Sequence, residues 1–184
     1  MNIPLDATVE QRAGYLRESG VWATLSESVL HAVVAAMRPA RHPNGQFITR
    51  HGEPGRHLHV LTSGEAEVRV HATNGTVINV ATMSASACFG EMSLLSGDVT
   101  SADVVASTDC KTLTLDRPTF EALVADQPQL LREFVRMVSR RLRDSNVAMA
   151  AAQEKGKELT RFLQDAHTEQ YDELVGTLPA MRTL

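Results

Sequence analysis

The sequence predicts a mainly β fold with flanking helices, a β-barrel or jelly roll followed by a long C-terminal helix. Three observations carry this. Helical periodicity occupies the chain up to Met37. From Arg38 to Asp116 it gives way to short alternating apolar runs broken by His42-Pro43-Asn44-Gly45, Gly52-Glu53-Pro54-Gly55, Ser63-Gly64 and Asn74-Gly75. After Gln127-Pro128, apolar residues recur at alternating intervals of four and three.

Taken in order, Thr8 to Glu18 reads as a helix, with Thr8 as N-cap, Gln11 as its capping-box partner and Gly20 as its stop. Ser26 caps a second helix over Glu27 to Met37, which places Val29, Val33, Val34 and Met37 on one face. In the β region, Ala66, Val68 and Val70 alternate with Glu67 and Arg69. Asn74-Gly75 then predicts a type I′ hairpin leading into Val77, Ile78 and Val80. Cys110 to Leu115 closes the barrel, and Arg117-Pro118-Thr119 opens a helix running through Ala125. The last helix covers 129–168. Its seam is Leu131, Val135, Val138 and Leu142, then Ser145, Met149, Ala152, Gly156, Leu159 and Leu163. Gly156 costs about 1 kcal/mol in a helix interior, so the seam weakens as it goes. A helix rising about 1.5 Å per residue outruns a small barrel beyond Arg143, so the seam predicts a homodimer. The divisions expected are 1–37 for the N-terminal helices, 38–128 for the barrel, 129–168 for the dimerisation helix and 169–184 for a tail.

The stretch of most chemical interest is Phe89 to Ala106, FGEMSLLSGDVTSADVVA. Phe89-Gly90 closes a tight turn, Glu91 to Leu95 makes one helical turn with Met92 and Leu95 on a common face, Gly97-Asp98 ends it, and Ser101 to Ala106 reads as strand. A helix start behind a glycine presents unpaired N–H groups to a concavity, and Ser93, Thr100 and Ser101 add hydroxyls.

This stretch resembles the phosphate-binding cassette of the cyclic nucleotide-binding domain family, where FGE, a small residue and Leu precede a loop, Arg and a strand. GEPGRHLHVLTSGEAEV, from Gly52 to Val68, resembles the family's glycine-marked hairpin, with His59 in place of the usual aromatic. The likeness extends from Tyr15 to about Leu142. It implies that Gly90, Met92 and Ser93 offer backbone N–H groups to a cyclic phosphate, Glu91 meets the ribose 2′-hydroxyl, and Ser101 meets phosphate or base. The family's phosphate-binding Arg falls on Thr100. Losing a charge-assisted hydrogen bond removes about 1.5–3 kcal/mol, and Thr100 has one neutral donor to offer. The resemblance makes cAMP or cGMP the candidate ligand. Arg50, Arg56 and Arg69 are the alternative cations that would rescue phosphate binding.

The tail, YDELVGTLPAMRTL from Tyr171, resembles the opening of the AAA+ ATPase domain of bacterial enhancer-binding activators through Val175-Gly176 and Pro179-Ala180-Met181. No G-x-x-x-x-G-K-S/T occurs in the chain.

Composition narrows the rest. With 184 residues, 43% of them hydrophobic, the chain can bury a sizeable core, but 4% aromatics make that core largely Leu, Val, Ala and Met. A net charge of −4 gives no basic footprint for nucleic acid, and no helix-turn-helix follows Arg143, so no direct DNA reading is expected of this chain. Cys88 and Cys110 match no zinc spacing and read as buried thiols of a reducing cytoplasm. The first twenty residues carry no signal-peptide pattern and no window spans a membrane. His51, His57, His59 and His71 read as surface or turn histidines rather than metal ligands, and Arg136, Arg140, Arg141 and Arg143 as a solvated helix face. No catalytic constellation or cofactor is expected. The functional expectation is a cytoplasmic ligand-sensing domain of a bacterial signalling or transcription regulator. It would dimerise through Leu131, Val135, Val138, Leu142 and Met149 and act on a C-terminal output domain. The alternatives are a sensor of a different small effector and a ligand-free dimerisation or interaction scaffold.

Overall fold

The structure, a computed structural model, describes residues 3–4, 7–18 and 22–176, with the side chains of 137, 141, 156 and 159–176 outside that description. The expected stop at Gly20, the tail residues 177–184 and the side chains of Leu159 and Leu163 therefore lie outside the described residues. The chain divides into two compact units, Met1–Val138 and Ser139–Leu184.

The first unit begins with α1 (Val9–Glu18) and α2 (Glu27–Ala36). The capping box forms: the Thr8 N–H donates to Gln11 Oε1 (2.9 Å) and the Gln11 N–H to Thr8 Oγ1 (3.3 Å). Ser26 does sit at the α2 N-cap, but its hydroxyl pairs with that of Ser28 instead of capping. Val29, Val33, Val34 and Met37 are buried together, as their spacing requires.

Eight strands follow: β1 (Arg38–His42), β2 (Phe47–Thr49), β3 (His57–Ser63), β4 (Ala66–His71), β5 (Val77–Met83), β6 (Cys88–Phe89), β7 (Asp103–Ala106) and β8 (Cys110–Asp116). They form two antiparallel four-stranded sheets, ordered β1-β8-β3-β6 and β2-β7-β4-β5, a jelly-roll sandwich. The β4–β5 turn is not type I′. Gly75 alone takes positive φ, its N–H donates to the Ala72 carbonyl (2.9 Å) and the Asn74 side chain accepts from the Thr76 N–H (3.0 Å). Asn74 therefore acts as a side-chain acceptor in a longer loop, an arrangement that the dipeptide does not distinguish.

Two clusters make the core. The larger joins Leu16, Trp22, Leu30 and Val33 of the helical layer to Leu58, Val60, Leu113 and Leu115 on one face of the first sheet. The smaller fills the sandwich with Leu61, Ala66, Phe89, Val104, Ala106 and Cys110. α4 (Arg117–Asp126) starts where Asp116 accepts the Thr119 N–H (2.9 Å), and Pro118 sits in its first turn.

α5 (Gln129–Gly176) is a single helix of 48 residues, longer than the 129–168 expected. Its first turns bury Leu130 and Phe134, not the seam. The Phe134 ring meets Trp22 edge-on at 5.3 Å and Phe120 at 4.7 Å. Leu131, Val135, Leu142 and Met149 are exposed and Val138 is half-buried, so the heptad face is separate from the face that serves the core. Among the described residues, no helix is long and apolar enough to cross a membrane.

Candidate functional site

The cassette is built around α3 (Glu91–Ser96), a six-residue helix held between two left-handed glycines, Gly90 (φ 84°) and Gly97 (φ 83°). Gly90 turns the chain because β6 ends against β3. A Cβ there would overlap the carbonyl oxygen of His57, so no side chain fits even apart from the positive φ. The helix buries Glu91, Ser93 and Leu94. Met92 is 58% exposed, so the expected shared face of Met92 and Leu95 is not the one that packs. Leu95 is half-buried and packs on the core beside Leu94, so Met92 alone of the expected pair leaves the packed face.

Chain return occurs at Thr100, which is buried. Its N–H donates to the Glu53 carbonyl (2.9 Å), its carbonyl accepts from Gly52 N–H (2.9 Å), and a β-bridge joins Pro54 to Val99. The loop at 50–55 is thereby laid against the cassette, and Gly55 approaches Ser93 so closely that a Cβ there would overlap that side chain. The polar side chains are already engaged. Thr100 Oγ1 donates to the carbonyls of Arg50 and Glu53, and Ser93 Oγ donates to the Val99 carbonyl (3.3 Å). Ser101 is exposed, and its carbonyl meets the ring Nδ1 of His51 (3.1 Å).

Residues paired across a sheet share a face, so the register continues the site onto the second sheet. Val68 lies opposite Val104 and Ala81, and Val70 opposite Ile78. Because Val104 belongs to the sandwich core, these residues form the inner wall. Val68 and Val70 are half-buried and Ile78 exposed, giving an apolar surface that the core does not fully cover.

Two of the three alternative arginines are engaged away from the cassette. Arg50 lies over the Phe47 ring, with its guanidinium carbon 3.8 Å from the centroid. Arg69 is paired with Glu67 on the opposite face of β4 (2.8 Å). Arg56 lines a cavity of about 580 Å³ with Gly55, His57, Gly97, Asp116 and Arg117, at the C-terminal end of α3.

Histidines are more organised than the sequence suggests. His59 is buried, stacked on Phe89 at 4.9 Å, with His57 at 6.0 Å and His42 at 6.3 Å. It puts another flat ring in an aromatic's place, and its burial against Phe89 corrects the expectation of a surface or turn histidine. Burial, aided by His57 and His42, pushes its pKa down to about 3. On the outer face, His71 Nε2 pairs with Asp103 Oδ2 (2.7 Å), His51 donates its N–H to Asp103 Oδ1 (2.7 Å), and the two imidazoles stack at 4.8 Å. Burial pushes the Asp103 carboxyl up, but these hydrogen bonds and the neighbouring imidazoles hold it below the usual range. Among the described residues no cluster is suited to a metal ion. Cys88 and Cys110 are both buried free thiols; Cys110 Sγ donates to the Glu65 carbonyl (3.0 Å), and burial raises its pKa.

Residues 39–127 match the sequence profile of the cyclic nucleotide-binding domain. The chain is 26% identical over 135 residues to a CRP-like cAMP-activated global transcriptional regulator of Mycobacterium tuberculosis, covering 73% of this chain and 60% of the relative. It thus spans 60% of that relative's length. Its fold is similar to Thermus thermophilus catabolite activator protein, with TM-score 0.65 and 25% identity over 72% of this chain and 62% of that one. It is also similar to the regulatory subunit of a cAMP-independent protein kinase A from Trypanosoma cruzi bound to guanosine, with TM-score 0.60 and 26% identity over 64% of this chain and 41% of that one. The sandwich of this chain is thus similar to the cyclic nucleotide-binding domain, in sequence over residues 39–127 and in fold.

Proposed function

We propose that this chain is a ligand-sensing regulatory domain that dimerises through α5 and passes a ligand-dependent change to an output module. The observation that carries the reading is the cassette. It comprises a glycine-bracketed α3 with Glu91 drawn inward and closed by Thr100, in a barrel whose second sheet carries the half-buried Val68 and Val70 and the exposed Ile78. Gly90, Glu91, Met92, Ser93, Thr100 and Ser101 are the proposed ligand residues.

The mycobacterial relative is cAMP-activated and the trypanosomal subunit is bound to guanosine, so both cyclic nucleotides and nucleosides are reasonable effectors on this fold. The output is proposed to be transcriptional or signalling, as in the mycobacterial relative. Its identification with an AAA+ ATPase rests on the tail sequence alone, and Val175-Gly176 of that motif forms the end of α5.

The test is thermal unfolding of the purified chain with adenosine, guanosine, cAMP and cGMP. Stabilisation by at least one of them, lost in Glu91→Ala, is expected. No shift with any of the four at millimolar concentration would leave the scaffold reading in its place.

A further inference from the structure

We infer that the cavity between α3 and α4 is a second ligand site, separate from the cassette and built for a phosphate group, carried by a small ester or free. Its walls include Arg56, His57, Gly97, Asp116, Arg117 and Pro118. The strand register explains why the cations meet there. β3 and β8 end their ladder with His57 opposite Asp116. One step further Arg56 stands opposite Arg117, and the Arg117 N–H donates to the Arg56 carbonyl (2.9 Å). Two guanidinium groups thus line one cavity from facing backbone positions. Like charges directly opposite each other are destabilising, and an anion between them turns the repulsion into attraction.

The protein itself leaves these donors available. Arg56 is exposed, and among the described residues its guanidinium has no hydrogen bond or ion pair. Arg117 gives its Nε to Glu121 Oε1 (2.7 Å), while its terminal nitrogens lie against Gly97, where a side chain would overlap them. Asp116 also lines the cavity, but its carboxylate accepts the Thr119 N–H (2.9 Å) at the positive end of α4. Arg56 is left as the uncompensated charge. Each guanidinium fork takes two acceptor oxygens. Two forks and an imidazole ask for more oxygens than one carboxylate has, and a phosphate group supplies them. About 580 Å³ is a volume that small-molecule sites commonly have, so an organic remainder fits beside the phosphate. The backbone N–H groups assigned to a cyclic phosphate start at Gly90, whereas this cavity lies at Gly97, the other end of α3, about 9 Å away at 1.5 Å per residue. The two remain in touch. Gly55 is in the cavity wall and lies against Ser93, so a bound anion would bear on the loop at 50–55 and on α4 together.

The experiment is calorimetric titration of the whole chain, at constant ionic strength, with inorganic phosphate, glycerol phosphate and acetate. Both phosphates are expected to bind, and acetate at least about ten-fold more weakly, the lower bound for one charge-assisted hydrogen bond. Tighter glycerol phosphate would mark an ester as the ligand, and tighter inorganic phosphate the free ion. Arg56→Gln removes an exposed side chain that the fold does not use, so its melting temperature should be that of the wild type while phosphate affinity falls about ten-fold or more. Arg56→Lys keeps the charge without the fork and should recover only part of the loss. Undiminished binding in Arg56→Gln, acetate bound as tightly as phosphate, or no binding of either phosphate at millimolar concentration would overturn the site. Displacement of bound phosphate by cAMP would place the anion in the cassette and overturn its separateness.

Discussion

His59 is the residue at which burial, stacking and titration meet. Its ring lies flat against Phe89, at 9° and 4.9 Å, and its Nδ1 is buried without a hydrogen-bond partner. Protonation would place a charge between Phe89 and two further imidazoles, which is why its pKa falls to about 3. The unfolded chain takes up a proton near pH 6.5 that the fold refuses. Stability tied to His59 is therefore complete above pH 6.5 and declines as pH falls from there toward about 3. Between pH 6.5 and 5 the loss should be about 2 kcal/mol, one proton's worth of slope. His59→Phe keeps the stacked ring and removes the proton. Urea unfolding at several pH values should show the variant's acid dependence reduced by close to one proton in this window, and an unaltered slope would refute the assignment. Asp103 and Asp116 do not interfere, because their lowered values place their effects further into acid. In the sequence this residue stands out only as a histidine in an aromatic's place. Its burial depended on pairing with Phe89, a contact thirty residues away that local pattern does not encode.

At the scale of elements, α3 shows what two glycines do. Both take left-handed angles, yet their surroundings differ. A Cβ on Gly90 meets backbone, the His57 carbonyl oxygen, whereas one on Gly97 meets the Arg117 guanidinium, the end of a flexible side chain that also pairs with Glu121 (2.7 Å). The left-handed strain of about 1–2 kcal/mol is common to both; only Gly90→Ala must also displace a strand. Gly97→Ala should therefore cost about 1–2 kcal/mol in chemical denaturation and Gly90→Ala clearly more, and equal costs would contradict this account. Both glycines and the helix between them were legible, because positive-φ positions admit few other residues. The inward face of that helix was not, since six residues give too few turns for periodicity to choose between Met92 and Leu94. The Asn74-Gly75 turn failed similarly: the same dipeptide serves a type I′ turn and a longer loop, and the choice rests with the register shift between Val68 and Arg69.

Across the whole molecule, α5 presents two faces, one in the core and one exposed. Its first turns complete the protomer core through Leu130 and Phe134, and the sequence, read as a heptad, pointed past them to Leu131, Val135, Val138, Leu142 and Met149. A 3.5-residue repeat and a core-facing stripe overlap within the first two turns, so periodicity pointed to the proposed seam and missed the anchor. The strand order of the sandwich, with β1 beside β8 and β2 beside β7, was also beyond local pattern, since those pairings close long loops. The two faces of α5 make a paired prediction. Leu142 is 62% exposed, so Leu142→Glu should leave the denaturation midpoint of the barrel nearly unchanged at low protein concentration, while analytical ultracentrifugation shows monomer in place of dimer. Phe134 is 1% exposed and packed on Trp22 and Phe120, so Phe134→Ala should cost about 3–5 kcal/mol. A wild-type chain that sediments as monomer, or a Leu142→Glu variant that remains dimeric, would remove the seam from the mechanism. The ligand-induced change would then have to travel within a single protomer, through the loop at 50–55 that the cassette already holds by Thr100.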